Sequence, residues 1–143
     1  SADPITLNSD WRSKEEVLKG MTDNLLLAGR CRYPRKLEAD LWAREAVFST
    51  GLGFSFAIPH SKSEHIEQST ISVARLAQPV VWGDEEAQFV IMLTLNKHSA
   101  GDQHMRIFSR LARRIMHAEF RQSLVSAESS EDIADLLRRE LEL

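Results

Sequence analysis

Gly51-Leu52-Gly53-Phe54-Ser55-Phe56-Ala57-Ile58-Pro59-His60 is the stretch on which the reading of this chain turns. Phe54, Phe56 and Ile58 alternate with Ser55 and Ala57, the period-two pattern of a short strand with one apolar face in a core. Pro59 is expected to end it, because proline has no N–H for the sheet ladder and holds the residue before it extended. His60 then falls where the backbone leaves the sheet, and an imidazole at a strand's end is placed for chemistry rather than packing. The competing reading is a solvated loop histidine, the commoner fate of such a residue.

Upstream, Ser13-Lys14-Glu15-Glu16 fits a capping box, Val17, Met21, Leu25 and Ala28 follow helical spacing, and Gly29 supplies a stop. A second helix is expected from near Pro34, suited to a first turn, to before Gly51. Its stripe Leu37, Leu41, Arg44 and Phe48 advances by four, three and four, which puts Arg44 on the apolar side. Two readings of Arg44 are open. Its stem packs while its head snorkels to water, or its guanidinium is aimed inward at an anion beside a site.

Downstream, Ser69 to Leu76 reads as a strand with Ile71, Val73 and Arg75 on one face, and Val80 to Trp82 as a short edge strand or loop. Phe89 to Leu95 is apolar on both faces and is expected as the central, doubly covered strand of a mixed sheet. Asp102 is placed to cap a third helix with His104 in its first turn, where open N–H groups and the helix dipole favour anions. Phe108, Leu111 and Ile115 continue the line from His104 toward the core, so a core histidine satisfied by a carbonyl competes with an anion-facing one. Ala118 to Ser126 and Ser130 to Leu141 predict two closing helices, the last capped by Ser130. Strands alternating with helices indicate an α/β domain.

The length of 143 residues fits one domain, with 1–10 as a linker or flexible start. A net charge of −3 excludes a strongly basic nucleic-acid footprint. The local clusters from Arg30 to Lys36 and at Arg106, Arg110, Arg113 and Arg114 are solvated helix faces or surfaces for an acidic protein. Cys31 is the single cysteine, which excludes an internal disulfide and paired-cysteine motifs and suggests a reducing, cytoplasmic setting. The longest apolar run, Phe89 to Leu93, is far short of the ~20 residues that span a bilayer, so no membrane insertion is expected. Ser1 to Asp10 lacks the basic and apolar regions of a signal peptide.

Several chemistries find no support. There is no G-x-S-x-G elbow, no P-loop and no dinucleotide fingerprint. His60 and His65 are five apart beside a proline, not at the i, i+4 spacing that puts two metal ligands on one helix face. No metal and no cofactor are expected. What remains is His60, His104 and Arg44. A neutral imidazole is a nucleophile near pH 7, and a site that accepts and returns a phosphoryl group needs one such ring and fixed donors for the phosphoryl oxygens.

The sequence from about Ile5 to Leu141 resembles the enzyme IIA component of the bacterial phosphoenolpyruvate-dependent sugar phosphotransferase system, fructose–mannitol type. The likeness is most specific from Thr50-Gly51-Leu52-Gly53 through Ala57-Ile58-Pro59-His60-Ser61-Lys62, which is similar to the signature around the family's phosphorylated histidine. Arg44, sixteen residues before His60, and Gly101-Asp102-Gln103-His104 fit two further site positions, and Val81-Trp82-Gly83 also fits. The resemblance implies one domain over 1–143 with a mixed, mostly parallel sheet flanked by helices on both faces. It implies phosphorylation of His60 by the phosphocarrier HPr, onward transfer to a cysteine of enzyme IIB, and His104 and Arg44 holding the phosphoryl group. The alternative is a regulatory, nitrogen-type relative that binds other proteins according to its phosphorylation state. With no HPr-like or IIB-like segment, the chain reads as one module, free-standing or cut from a longer multidomain protein.

Overall fold

In a computed structural model, which describes residues 4–99 and 101–143 except for the side chains of 101–103, the chain divides into two compact units. The first, 1–99, runs β1 (Ile5–Ser9), α1 (Lys14–Leu27), α2 (Pro34–Val47), β2 (Gly51–Gly53), β3 (Phe56–Ala57), β4 (His60–Ser63), β5 (Thr70–Trp82) and β6 (Glu85–Asn96). The second, 100–143, holds α3 (Gly101–Ile115), α4 (Ala118–Ser126) and α5 (Ser130–Leu141).

The sheet is built around β6. Its order is β1-β5-β6-β3-β2, with β4 also paired to β6. Among the described residues, β1–β5, β3–β6 and β4–β6 are parallel while β5–β6 and β2–β3 are antiparallel, so the sheet is mixed and mostly parallel. Phe89 to Thr94 are all buried, as expected for a strand covered on both faces. Val90 and Met92 join Leu18, Leu25, Leu37 and Leu41 in the core under α1 and α2. Phe89, Ile91 and Leu93 alternate to the other face, where Phe89 stacks on Phe56 with ring centroids 4.9 Å apart.

Two expectations for the strands are corrected. Ile5–Ser9 is no linker: it forms the parallel edge strand, with Ile5 opposite Val73. Val80–Trp82 is no separate edge piece but the continuation of β5 beyond a register shift between Arg75 and Val80. Pro79 lies in that irregular stretch, where a missing N–H costs the ladder nothing.

The helix ends follow local chemistry. Ser13 Oγ accepts the Glu16 N–H at 3.1 Å, which satisfies one orphan donor of α1, and Glu16 Oε1 accepts the Arg12 N–H just before the cap at 3.1 Å. At the other end Gly29 takes φ 76°, and the N–H groups of Gly29 and Arg30 reach back to the carbonyls of Leu26 and Leu25, a Schellman closure. Pro34 opens α2 at its first position. Along α2, Leu37 and Leu41 are buried, but Phe48 is not the next member of the stripe. It leaves the helix in extended geometry and is 75% exposed, and the buried residue one turn after Leu41 is Glu45.

In the second unit Leu111 and Ile115 of α3, Phe120 and Leu124 of α4, and Ile133, Leu137 and Leu141 of α5 are buried. Arg110 of α3 bonds the Leu141 carbonyl at 2.9 Å and Glu142 at 3.0 Å. The cap of α5 is Ser129 rather than Ser130, its Oγ accepting the Asp132 N–H at 3.1 Å. The helix begins at Gly101, so Asp102 is already helical, and its side chain, the expected cap, lies outside the described residues.

Candidate functional site

The decisive stretch is a hairpin followed by a resumed strand, not one strand. Phe54 and Ser55 adopt φ 59° and 67°, the left-handed pair of a two-residue I′ turn, so the chain reverses between β2 and β3 and Phe54 is half-exposed at the tip. Pro59 then interrupts the ladder without ending it. Phe56 and Ala57 face Phe89 and Val90, and after the gap His60 and Ser61 face Leu93 and Thr94 in the same register. The Pro59 carbonyl still accepts the Leu93 N–H at 2.9 Å. The expectation that His60 sits where the backbone leaves the sheet is therefore corrected: it is the first residue of β4, held between Pro59 and a parallel pairing with β6.

This placement fixes the ring. His60 Nδ1 lies 2.9 Å from the Ile58 carbonyl oxygen, so the neutral imidazole is assigned its proton on Nδ1 and its lone pair on Nε2. Burial lowers the His60 pKa below the ordinary imidazole value, against the Ile58 hydrogen bond that favours the charged ring. The Arg44 guanidinium lowers it further, and the Glu45 carboxylate raises it. A ring so placed is neutral, and thus nucleophilic, near pH 7.

Arg44 stands in the last turn of α2, half-buried, its Nη1 donating to the Phe48 carbonyl at 2.7 Å. Beside it Glu45 is enclosed. Its carboxylate meets Lys14 Nζ at 2.7 Å and accepts the Thr50 N–H at 3.1 Å and the Thr50 hydroxyl. Trp82 Nε1 donates to the same Thr50 hydroxyl oxygen at 3.1 Å. The Thr50 carbonyl in turn accepts the Ile58 N–H at 3.0 Å. Farther along β4, Ser63 Oγ donates to Asp40 of α2 at 2.5 Å.

Within the first unit, His60 and Arg44 thus act on each other electrostatically; His104, half-buried in the first turn of α3, belongs to the second unit. Sequence reasoning passed over Glu45 and gave Thr50 and Trp82 no role of their own. The available signal was the step of four from Leu37 to Leu41 to Glu45, which puts a carboxylate in the buried line. Cys31 is buried, with its thiol pKa pushed up mainly by that burial. Among the described residues no three or more His, Cys, Asp or Glu side chains are grouped as metal ligands, and no helix is long and apolar enough to cross a membrane.

Residues 1–140 match the family model described as phosphoenolpyruvate-dependent sugar phosphotransferase system, EIIA 2. The chain is 85% identical over its whole length to part of multiphosphoryl transfer protein 2 of Escherichia coli strain K12, and spans only 17% of that protein. Among solved structures it is similar to the nitrogen regulatory protein IIA-Ntr of Neisseria meningitidis, with a TM-score of 0.84 and 26% identity over 93% of this chain and 92% of that one. It also shares the fold of the solved complex of mannitol enzyme IIA with phosphorylated enzyme IIB from Escherichia coli, with a TM-score of 0.78 and 20% identity over 97% and 96% of the two chains. The chain belongs to the EIIA 2 family of the phosphoenolpyruvate-dependent sugar phosphotransferase system and is a phosphotransferase component of that system.

Proposed function

We propose that His60 is the phosphoryl acceptor, charged by phosphorylated HPr and discharged to a cysteine of an enzyme IIB. The observation that carries this is the bond from Nδ1 to the Ile58 carbonyl, which leaves the nucleophilic lone pair on Nε2. In the transfer, Nε2 forms a bond to phosphorus as the phosphorus–nitrogen bond of the donor phosphohistidine breaks and its electron pair returns to the donor ring. The Nδ1 proton stays in place, and the Ile58 carbonyl stabilises the positive charge the ring acquires. Discharge reverses the chemistry, with the cysteine thiolate displacing Nε2 from phosphorus.

Arg44, whose guanidinium acts on His60, is proposed to neutralise the phosphoryl oxygens through charge-assisted hydrogen bonds. His104, in the first turn of α3, is proposed to donate to the same group, a role carried by the family likeness. The 85% identity to part of a multiphosphoryl transfer protein supports the carrier reading and a place as one module of a longer phosphotransfer protein. The test is incubation with phosphoenolpyruvate, enzyme I and HPr, followed by mapping of the label. His60→Ala should fold and take no label, and full labelling of that variant excludes the assignment. A regulatory role is the second reading, favoured by the likeness to IIA-Ntr. Transfer from the labelled chain to an enzyme IIB separates the two.

A further inference from the structure

Close in sequence to Arg44, the Lys14–Glu45 ion pair of the first unit is enclosed, its side chains 14% and 2% exposed. Burying two charges costs several kcal/mol per ion before their attraction is counted, so a pair of this kind is a weak stabiliser. Its remaining hydrogen bonds show what it holds. Both carboxylate oxygens are used on Thr50, one by the N–H and one by the hydroxyl, and Trp82 fixes the hydroxyl from the other side. Thr50 is thus pinned at the start of the hairpin.

From Thr50 the chain of bonds leads to the imidazole. The Thr50 carbonyl accepts the Ile58 N–H at 3.0 Å, and the Ile58 carbonyl is the partner of His60 Nδ1 at 2.9 Å. Ile58 is therefore held at one end by Thr50 and holds the ring at the other. Pro59 follows it with no N–H to donate, while its carbonyl accepts the Leu93 N–H at 2.9 Å. The bond from Thr50 is one of those that place the Ile58 peptide, and Thr50 is in turn held by Glu45.

We propose that Glu45, acting through Thr50, is a positioning residue that aims the Ile58 carbonyl at His60 Nδ1 and so fixes which ring nitrogen offers its lone pair. Lys14 pairs with the buried carboxylate, whose two oxygens accept both Thr50 donors. The inference rests on His60 being the phosphoryl acceptor. Groups that orient a reacting or ligating histidine from behind typically matter by 10–100-fold in function when removed.

The experiment is ring ¹⁵N NMR on the folded chain at about pH 8, above the ordinary imidazole value of ~6.5, together with single-turnover labelling from phosphorylated HPr. The parent should show the Nδ1–H form of His60 alone. Glu45→Gln and Thr50→Val should each let the Nε2–H form appear and slow labelling by about tenfold or more, while Thr50→Ser, which keeps the hydroxyl, should match the parent in both. Should Glu45→Gln fail to fold because Lys14 is left uncompensated, Lys14→Met with Glu45→Gln removes that charge, and Thr50→Val tests the relay separately. Folded variants that keep the parent tautomer, or that shift it without slowing transfer, overturn the inference. Label on a residue other than His60 in the parent would instead overturn the carrier reading, a result that the tautomer measurement does not depend on.

Discussion

The nitrogen Nδ1 of His60 and the carbonyl oxygen of Ile58 are 2.9 Å apart across the intervening Pro59, which makes the imidazole part of the backbone's own hydrogen-bond accounting. Ile58 and Pro59 lie between the two stretches paired with β6, and the side chain of the next residue turns back to use the Ile58 carbonyl. The ring's direct contact is thus a main-chain oxygen, and what orients that oxygen bears on the tautomer.

The lowered pKa of His60 has a defined sign in stability. Between the folded-state pKa and the unfolded value of ~6.5 the unfolded chain binds more protons, so stability rises with pH through that window and is lost as pH falls through it. His60→Gln should remove this component. Urea unfolding of both chains across that range should show the parent losing stability on acidification faster than the variant, and the His60 ring titration should have its midpoint below the ordinary imidazole value. A midpoint above it would show that the Ile58 bond and Glu45 outweigh burial.

Gly20 in α1 tests the packing of the first unit. A Cβ there would collide with the Trp11 indole. Helix propensity alone favours Gly20→Ala by ~1 kcal/mol, whereas overpacking costs about 1–3 kcal/mol. The substitution should therefore be neutral at best and more often destabilising by about 1–2 kcal/mol in urea unfolding. In a Trp11→Ala background it should become stabilising.

How much of this was legible in sequence depends on how local the determining forces are. The capping box at Ser13, the stop at Gly29, Pro34 at a first turn and the bounds of α4 and α5 were all readable, because each is set by a few adjacent residues. The doubly buried β6 was readable from its unbroken apolar run. The hairpin at Phe54-Ser55 was not. Neither residue is a glycine or asparagine, the usual occupants of left-handed turn positions, and the alternating pattern around them mimics a continuous strand. Glu45 was only half legible: its step of four from Leu41 puts it in the buried line, but the partners that let a carboxylate be buried there include Lys14, 31 residues away in sequence.

The turn itself yields a prediction. Ser55 holds φ 67° with a side chain, a conformation that costs an L-residue about 1–2 kcal/mol. Ser55→Gly removes that strain while adding backbone freedom to the unfolded chain, which takes back about 0.4–1 kcal/mol. A net gain between nothing and about 1.6 kcal/mol in thermal or urea unfolding is expected. A loss of stability would mean that the serine side chain holds the hairpin.

Arg44 and His104 are the residues whose proposed roles most need separating from structure. Arg44 donates to the Phe48 carbonyl at the end of α2, a bond that a lysine ammonium can also make, so Arg44→Lys should leave the melting temperature close to the parent's. What lysine cannot reproduce is the planar fork of donors matched to phosphoryl oxygens. His104 is half-buried in the first turn of α3, and glutamine there keeps a polar group of similar reach. Both Arg44→Lys and His104→Gln should therefore keep His60 as the labelled site and slow transfer, by up to the ~10²–10³ lost with one preorganised donor. Single-turnover transfer from phosphorylated HPr, and then to an enzyme IIB, measured beside thermal melts of the same variants, decides it. If stability drops while both transfer steps run at the parent rate, Arg44 is a helix-end cap and His104 a core histidine, and neither handles the phosphoryl group.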